Sequence, residues 1–489
     1  MKFEERYKKL NAEQKKAVDT IEGPVLVVAG PGSGKTEILS MRVAQILKET
    51  DTAPGSILCL TFTDSASINM RERLAGLIGV QAYRVGIYTF HSFCTEVIGR
   101  YPEYFFGHAD FHPADEVTRR EILQTLFTEM SYDNPLRSEH PEQGFVFLSG
   151  ALSSFSDLKR AGLTPKEFQA IVVHNEQVLE MIRPLLKEYI PERISKKEIG
   201  RFNDLVLELK KLKVPPTPHE HVSSLIQAFL YSLETALAEV IETDSSTPLS
   251  EWKRKEVEKT EDGFVLKDFT RLDKMKALGS LYEAYQKALI DAGYFDFDDM
   301  ILEVVKALET NETLRQMLEE RFQYILVDEF QDTNDAQMRL LYALTSSEVH
   351  EGRPNIMAVG DDDQSIYRFQ GAEVANMLSF ATRFKNPTLV SLSKNYRSTA
   401  EILDISESVI TQSGQSLRTL LPQIEKKIVA SNTNLPKGQV HFKTCATALH
   451  EYDYIAREIQ KLHNSGVAYK EIAVIGRKHA SLRELVPYL

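Results

Sequence analysis

One segment of the chain constrains its fold more than any other: Ala29-Gly30-Pro31-Gly32-Ser33-Gly34-Lys35-Thr36. The apolar run 24–28 precedes it, and a helix-like stretch from Glu37 to Leu47 follows. A buried strand, a glycine-rich turn and a helix form a phosphate-binding loop, in which backbone N–H groups and the helix N-terminus converge on phosphate oxygens. In such a loop Lys35 reaches the β- and γ-phosphates, and the Thr36 hydroxyl holds Mg²⁺. Ala29 stands where the strict pattern has glycine. The segment predicts nucleotide binding in an α/β domain and leaves the reaction open.

The rest of the composition is ordinary for a soluble protein. The 489 residues are enough for about two to four domains, and no apolar run approaches the ~20 residues that cross a bilayer. The N-terminus mixes both signs of charge and leads into no signal-like apolar core. Three scattered cysteines (Cys59, Cys94 and Cys445) suit neither a disulfide framework nor a metal cluster. We therefore expect a cytoplasmic protein without a membrane partner.

The net charge of −12 weakens the case for a nucleic-acid partner without excluding it. The first hundred residues carry slightly more Lys and Arg than Asp and Glu, so the negative charge lies mostly in the remainder. A phosphate backbone needs only a locally positive or hydrogen-bonding groove, not a basic average.

Short strand-like runs alternate with helix-like stretches, which predicts α/β architecture with a parallel sheet covered on both faces. The predicted strands are Val25–Val28, Ile57–Leu60, Val85–Tyr88, Tyr324–Val327, Ile356–Val359 and Leu389–Leu392. We expect the first motor-like domain to comprise residues 1–95 and 293–388.

An all-helical insertion, residues 96–292, is predicted to interrupt this domain. Apolar residues at helical spacing, such as Leu281, Tyr285 and Leu289, support it. Proline-containing breaks fall at 214–218 and 244–248, and we expect the charged stretch 251–261 to be a solvated or mobile surface segment.

A second α/β unit is predicted for residues 389–489. Its expected elements are a helix over 400–411, strands near Val440–Phe442 and Ile472–Ile475, and a helix over 449–462. Two clear strands are too few for a doubly wound sheet, so we expect this second domain to be incomplete.

The strand 324–327 ends in two adjacent carboxylates, Asp328 and Glu329. In phosphate-loop enzymes the first acid holds Mg²⁺ and the neighbouring Glu orients or deprotonates the attacking water. An acidic surface turn is the alternative for this pair alone. Its combination with the phosphate-binding loop favours nucleotide hydrolysis.

The next strand ends in Asp361, Asp362, Asp363 and Gln364. We expect two of the three aspartates to form a solvated acidic turn. The Gln364 amide can donate to a γ-phosphate oxygen and accept from water, so it can sense that phosphate. Tyr367 and Phe369 can stack on single-stranded bases, with packing in the core as the alternative.

Eight motifs in this order resemble those of the UvrD/Rep/PcrA DNA helicases of superfamily 1, across residues 10–398. They are Leu10–Gln14, the loop ending at Thr36, Thr61–Thr63, Tyr88–Ser92, Phe295–Asp299, Asp328–Asp332, Gly360–Ala372 and Asn395–Ser398. The resemblance implies an ATP-binding RecA-like sheet domain with a helical insertion, followed by a second RecA-like domain.

The resemblance also implies roles for particular residues. Gln14 reads adenine and Tyr396 stacks on it, while the loop 29–36 holds ATP. Lys35, Asp328, Glu329, Gln364 and Arg397 form the catalytic set, with Thr36 and Asp328 on Mg²⁺ and Arg397 reaching the γ-phosphate. The expected single-strand path comprises Phe62, Thr63, Thr89, His91, Tyr367 and Phe369. The implied activity is ATP-dependent 3′→5′ movement along single-stranded and partly duplex DNA, in repair or replication restart, as ATP draws two motor domains together.

The chain departs from the family pattern by four changes. Glu37 stands where an arginine often sandwiches adenine, and Asp64-Ser65 replaces Asn-Lys. Phe369 replaces tryptophan and Gln370 replaces arginine. These changes affect grip or base recognition rather than phosphate chemistry, so base selectivity is expected to be loose.

The family's later motifs, including a second arginine finger, do not occur before Leu489. We therefore expect a truncated second motor domain and weak hydrolysis by the chain as printed. The alternatives are the motor of a RecB/AddA-like helicase–nuclease, or a nucleotide-switched DNA-binding module that does not unwind. An unrelated phosphate-loop kinase or transporter ATPase leaves Gln14 and Asn395–Ser398 unexplained.

Overall fold

The computed structural model describes residues 3–105, 112–142, 144–219, 222, 224–365, 374–412, 426–432, 434–435 and 438–489. The chain divides into two compact units. The first contains the described residues up to Arg397 together with 426–431, and the second contains Ser398–Gln412 and the described residues from Asn432 to Leu489.

The strands of the described residues are short. In chain order they are β1 (Val25–Ala29), β2 (Ile57–Thr61), β3 (Gly86–Thr89), β4 (His112–Pro113), β5 (Glu139–His140), β6 (Gly144–Phe145), β7 (Val257–Thr260), β8 (Gly263–Leu266), β9 (Tyr294–Phe295), β10 (Tyr324–Val327), β11 (Ile356–Gly360), β12 (Thr388–Leu392), β13 (Lys394–Asn395) and β14 (Val429–Ala430).

Helices account for most of the remaining structure. They are α1 (Phe3–Lys9), α2 (Ala12–Asp19), α3 (Lys35–Glu49), α4 (Asp64–Ile78), α5 (Phe90–Arg100), α6 (Glu116–Glu129), α7 (Leu148–Arg160), α8 (Pro165–Tyr189), α9 (Ile199–Lys211), α10 (Leu225–Thr243), α11 (Thr247–Glu256), α12 (Lys267–Asp291), α13 (Asp299–Thr310), α14 (Glu312–Arg321), α15 (Asp335–Leu344), α16 (Val374–Arg383), α17 (Ala400–Ile410), α18 (Ala448–Asn464) and α19 (His479–Leu485). None of them combines the length and apolar character needed to cross a bilayer.

Six strands of the first unit form one parallel sheet in the order β12-β1-β11-β10-β2-β3. These are the six strands predicted from the sequence, so the predicted parallel α/β sheet is confirmed. Leu26 of β1 pairs with Ala358 on one side and Leu389 on the other. Strand β12 crosses the expected domain boundary at 388/389, and its hydrogen bonds to β1 place it in the first unit's sheet.

Two hydrophobic clusters cover the two faces of this sheet, because alternate side chains of each strand point to opposite faces. Leu26 and Val28 of β1 belong to one cluster, which includes apolar residues of α5, α13 and α15. Val25 and Val27 belong to the other, which includes residues of α2, α3 and α4. Burial on both faces explains why the strands are continuously apolar in sequence.

The insertion of the first unit is mainly helical and has its own apolar cores. The expectation that it is all-helical is wrong, because β5–β6 and β7–β8 form antiparallel hairpins within it. The expectation of a solvated or mobile surface segment at 251–261 holds for its charged side chains, most of which are exposed, but the segment forms the end of α11 and the strand β7. Trp252 of α11 and Val257 of β7 are buried, and the charged residues around them face outward.

The second unit contains α17, α18 and α19 among its described residues. The strands predicted at Val440–Phe442 and Ile472–Ile475 are wrong, because no described backbone pairs with either segment. Phe442 is 94% exposed and Ile475 is 93% exposed. A short apolar run gives no information on whether a neighbouring strand completes its hydrogen bonds, and without that pairing it is not a strand.

Candidate nucleotide site and nucleic-acid surface

The carboxyl edge of the parallel sheet collects the residues predicted to be functional. The loop after β1 carries Lys35, the loops after β10 and β11 carry Glu329 and Gln364, and Tyr396 follows β12 and β13. The predicted DNA contacts Phe62, Thr63, Thr89 and His91 lie at the ends of β2 and β3, beyond β10. Ligands of open α/β sheets bind at this edge. Tyr367 and Phe369 lie outside the described residues.

The phosphate-binding loop has the backbone of an anion cradle. Gly32 and Gly34 have φ values of 65° and 91°, which non-glycine residues rarely adopt. A Cβ on Gly32 would lie 2.7 Å from the Arg397 Cβ and from the Asn395 side chain. Gly34 caps α3, so the unpaired N–H groups of that helix begin at Lys35. This loop therefore fits a phosphate group.

Lys35 lies at the centre of a polar cluster at the N-terminal end of α3. Its Nζ donates to Glu329 Oε2 at 2.9 Å and to Gln364 Oε1 at 3.2 Å. Gln331 Nε2 donates to the same Glu329 oxygen at 2.9 Å. The sheet thus brings Lys35 together with two residues that lie 294 and 329 positions later in the chain, and all three were assigned to phosphate chemistry from the sequence.

Asp328 is buried beside this cluster. Burial raises the pKa of its carboxyl group to about 6, with the negative charge of Glu329 as a second cause. Its Oδ1 accepts from the Glu329 backbone N–H at 2.9 Å, and its own N–H donates to Leu60 O of β2 at 2.9 Å. Glu329 has a φ of 46°, a left-handed conformation uncommon for a non-glycine residue.

The chemistry of the donors fits Mg²⁺, which prefers oxygen ligands and keeps bonds to phosphate and water. Thr36 supplies a hydroxyl and Asp328 a carboxylate. No group of three or more His, Cys, Asp or Glu side chains among the described residues could hold a metal by itself.

A cavity of about 630 Å³ opens beside the loop, on the side of α1, α2 and α4. Its lining residues are Arg6, Lys9, Leu10, Gln14, Gly34, Glu37, Asn69, Arg73 and Tyr396. Gln14 Nε2 donates to Ser33 O at 2.8 Å, and its Oε1 accepts from the Asn11 N–H at 3.0 Å. One N–H and one lone pair of the Gln14 amide remain for a base edge.

Glu37 is held between two arginines at this cavity. Its carboxylate lies 3.4 Å from Arg6 of α1 and 3.4 Å from Arg73 of α4. The absence of an arginine at position 37 is evident from the sequence. The two arginines that contact Glu37 could not be found there, because they are distant in sequence and belong to no motif. Two guanidinium groups and the Tyr396 side chain therefore line the same cavity despite the substitution at 37.

Tyr396 and Arg397 follow a segment that is tied to the phosphate-binding loop. The buried Asn395 donates from Nδ2 to Pro31 O, and the Tyr396 backbone N–H donates to Gly32 O at 3.0 Å. The Tyr396 hydroxyl accepts from Asn11 Nδ2 at 2.9 Å. Arg397 is exposed, with its Cβ beside Gly32. Both residues lie at the loop, and their assigned roles stay predictions.

The predicted DNA contacts also have structural roles. Thr63 and Thr89 are the N-cap residues of α4 and α5, and their hydroxyls accept from Ala66 N–H and Ser92 N–H. His91 stacks on Phe297, with ring centroids 4.1 Å apart and planes inclined by 16°. Burial lowers the pKa of the His91 imidazole, so this ring is neutral near pH 7. Phe297, an exposed ring in the motif 295–299, was not predicted as a partner of His91.

The acidic turn after β11 differs from expectation. Asp361 and Asp362 are buried, so the prediction that two of the three aspartates are solvated is wrong. The buried Lys426 reaches this turn and pairs with all three carboxylates. A lysine more than sixty residues away compensates the charge of the turn, and no motif spacing indicates it.

Comparisons with known proteins agree with the motifs. Residues 10–230 and 213–385 match the family model of the UvrD/REP helicase N-terminal domain, and residues 390–489 match that of the UvrD-like helicase C-terminal domain.

Curated relatives align along almost the whole chain. ATP-dependent DNA helicase PcrA of Staphylococcus aureus (strain Mu50 / ATCC 700699) is 27% identical over 476 residues, which is 97% of this chain and 49% of the relative. The protein of the same name from Staphylococcus epidermidis (strain ATCC 12228 / FDA PCI 1200) is 28% identical over 478 residues, covering 98% of this chain and 49% of the relative. The chain thus spans about half the length of these relatives.

Proposed function

Since the chain belongs to the UvrD/REP helicase family, we propose that it is an ATP-driven motor that moves 3′→5′ along single-stranded DNA and separates the strands of partly duplex DNA. The direction and the DNA substrate are carried over from the family resemblance. The relatives named above are DNA helicases by name, which supports the same class of substrate.

One observation carries the proposal: a single sheet edge holds a phosphate-binding cluster and the predicted single-strand contacts on adjacent strands. Lys35 and Glu329 form the cluster at β1 and β10, and Phe62 follows β2, the strand that pairs with β10. The Asp328 N–H to Leu60 O hydrogen bond links these two strand ends directly. We propose that a change at the phosphate end reaches the neighbouring strand through this contact.

The residues of the site divide the chemistry among them. Bound MgATP supplies the phosphoanhydride bond whose cleavage releases free energy. Lys35 neutralises phosphate charge, and Thr36 and Asp328 hold the metal. Glu329 accepts the proton of the attacking water at its carboxylate, and Gln364 contacts the γ-phosphate. Arg397 neutralises charge at the same phosphate, while Gln14 and Tyr396 bind adenine.

A role in DNA repair or replication restart and a cytoplasmic location follow from the same proposal, since both place the motor where DNA and ATP occur together. Phe62, Thr63, Thr89 and His91 line the proposed path of the single strand, with Tyr367 and Phe369 assigned to it from sequence.

Two assays of the purified protein test this function. We expect ATP hydrolysis to rise strongly on addition of single-stranded DNA, and a duplex with a 3′ single-stranded tail to be separated in preference to one with a 5′ tail. Glu329→Gln should abolish both activities. Preference for the 5′ tail would reverse the polarity.

Other outcomes identify other functions. ATP-dependent DNA affinity without strand separation would indicate a nucleotide-switched binding module. DNA cleavage would indicate a helicase–nuclease. Hydrolysis that ignores DNA would contradict the motor.

A further inference from the structure

Lys426 places a buried ammonium group among three carboxylates of the first unit. Its side chain is 4% exposed. Nζ lies 3.6 Å from Asp361 Oδ1 and 3.0 Å from Asp363 Oδ2, and it also donates to Asp362. A lysine is rarely this buried unless it is paired with acidic groups. The positive charge of Lys426 therefore partly compensates the negative charge of the three aspartates.

The acidic turn also contacts Gln364, which connects it to Lys35 at the phosphate-binding loop. The other Asp361 oxygen, Oδ2, accepts from Gln364 Nε2 at 2.7 Å. Gln364 Oε1 in turn accepts from Lys35 Nζ at 3.2 Å. A continuous chain of contacts therefore runs from Lys426 through Asp361 and Gln364 to Lys35.

The backbone holds Lys426 in place independently of its ion pairs. Strand β14 lies three residues after it and pairs in parallel with β13, beside Asn395. Ile428 packs against the phosphate-binding loop, since a Cβ on Gly30 would lie 2.7 Å from its Cδ1. The segment 426–430 is thus anchored to the loop that precedes Lys35.

We propose that Lys426 is a positioning residue that fixes the orientation of the Gln364 amide. An amide presents a donor at one end and an acceptor at the other, and an ionised carboxylate only accepts. Burial raises the pKa of the Asp361 carboxyl and the Lys426 cation opposes that rise, so Lys426 favours the ionised form. Nε2 then turns towards Asp361 and Oε1 turns towards Lys35. The inference rests on the proposed ATP hydrolysis and adds a residue that touches no nucleotide.

Without Lys426, burial and the neighbouring Asp363 charge raise the pKa of Asp361 with less opposition and favour its protonated form. A protonated Asp361 can donate as well as accept, so Lys35 alone then orients the Gln364 amide, and a γ-phosphate that binds Lys35 removes that constraint. The expected consequence is slower hydrolysis at saturating ATP, because the group that contacts the γ-phosphate is misplaced. ADP lacks that phosphate, so its affinity does not depend on this orientation.

The experiment compares Lys426→Met with Lys427→Met, which changes the adjacent exposed lysine. We expect kcat of Lys426→Met to fall by about 10- to 100-fold, as small misplacements in active sites do. Its dissociation constant for ADP should stay at the wild-type value, and a non-hydrolysable ATP analogue should lose its advantage over ADP. Lys427→Met should match the wild type. Lys426→Arg, which keeps a cation, should restore part of kcat.

The possible results separate the two proposals. A wild-type kcat in folded Lys426→Met would overturn the positioning role and leave the motor intact. A loss of ADP affinity as large as the loss of affinity for the ATP analogue would also overturn it, since that result indicates general damage to the nucleotide site. If Lys426→Met does not fold, Lys426→Arg decides: wild-type kcat and analogue preference support a positioning cation, and a loss of ADP affinity opposes it. If the wild type hydrolyses no ATP with or without DNA, the proposed function fails and the positioning role fails with it.

Discussion

The ammonium of Lys35 donates to the carboxylate of Glu329 across 2.9 Å. The group proposed to hold the phosphates therefore neutralises the group proposed to activate water. A γ-phosphate that binds Lys35 competes with Glu329 for it and frees the carboxylate to accept a proton. The pairing keeps the base occupied until the substrate arrives.

Removing either partner of this pair should have different effects. Lys35→Ala should weaken ATP binding strongly and abolish hydrolysis, because it removes the cation assigned to the β- and γ-phosphates. Glu329→Gln should abolish hydrolysis while ATP binds at least as tightly as before, since a competitor for Lys35 has lost its charge. Equilibrium binding of a fluorescent ATP analogue and steady-state hydrolysis measure the two effects. Lys48→Ala, at the far end of α3, is the control, and equal weakening of ATP binding in Glu329→Gln and Lys35→Ala would contradict this account.

The ionised carboxylate of Asp328 should lower the free energy of unfolding of the nucleotide-free protein at neutral pH. The pKa of its buried carboxyl is raised to about 6, so folding favours the protonated form. The stabilisation is complete below the unfolded value near 4 and is lost as the pH rises through 6. Asp328→Asn should therefore raise the free energy of unfolding by about 3 kcal/mol at pH 7.5, at about 1.4 kcal/mol per pKa unit, with no gain near pH 4. Urea titrations at both pH values measure this, with exposed Asp51→Asn as control; a gain independent of pH would exclude the mechanism.

Two substitutions of Tyr396 should separate stacking from hydrogen bonding. Tyr396→Ala should raise the KM for ATP by about 3- to 10-fold, the equivalent of one aromatic stacking contact. Tyr396→Phe keeps the ring and loses only the hydrogen bond from Asn11, so its KM should change far less. Steady-state kinetics with ATP measure both values. Similar KM increases for the two variants would place the hydroxyl, and not the ring, in base recognition.

Phe62→Ala should weaken binding of single-stranded DNA. Stacking of a base on an aromatic ring contributes about 1–3 kcal/mol, so the dissociation constant should rise by at least about fivefold. Fluorescence anisotropy with a labelled oligonucleotide measures it, and Tyr231→Ala, an exposed aromatic on α10, provides the control. Unchanged DNA affinity together with a lower melting temperature would assign Phe62 to the core.

Lys159 should be among the most sensitive positions for stability. Its buried ammonium on α7 lies 3.0 Å from Asp296 and 2.8 Å from Asp299, which joins the insertion to the sheet domain. Lys159→Met leaves two buried carboxylates without this cation and should cost about 3–5 kcal/mol. Lys210→Met, which breaks an exposed pair with Glu234, should cost less than about 1 kcal/mol. Chemical denaturation compares them, and equal losses would show that the buried cluster adds nothing.

The sequence was sufficient for the features that local patterns encode. The apolar strands and the glycine-rich turn predicted the sheet and the position of Lys35, since both depend on residues adjacent in sequence. The compensation of the acidic turn by Lys426, and of Glu37 by Arg6 and Arg73, could not be predicted. Those contacts depend on distant segments meeting in space, and a single lysine or arginine carries no periodicity that indicates its partner.

The strands predicted at 440–442 and 472–475 failed for a related reason. Apolar character predicts that a segment is buried, whereas a strand also requires a neighbouring backbone that completes its hydrogen bonds. For the charged stretch 251–261 the prediction missed the buried residues. Charged residues dominate its composition, but its few apolar residues, such as Trp252, are buried.

The hydrogen bond from the Asp328 amide to the Leu60 carbonyl is a single rung between neighbouring strands, which lie about 4.8 Å apart. Phe62 is only two residues beyond Leu60. In the proposed motor, the carboxylate assigned to the metal and the ring assigned to the nucleobase therefore follow two strand ends that are hydrogen-bonded directly to each other.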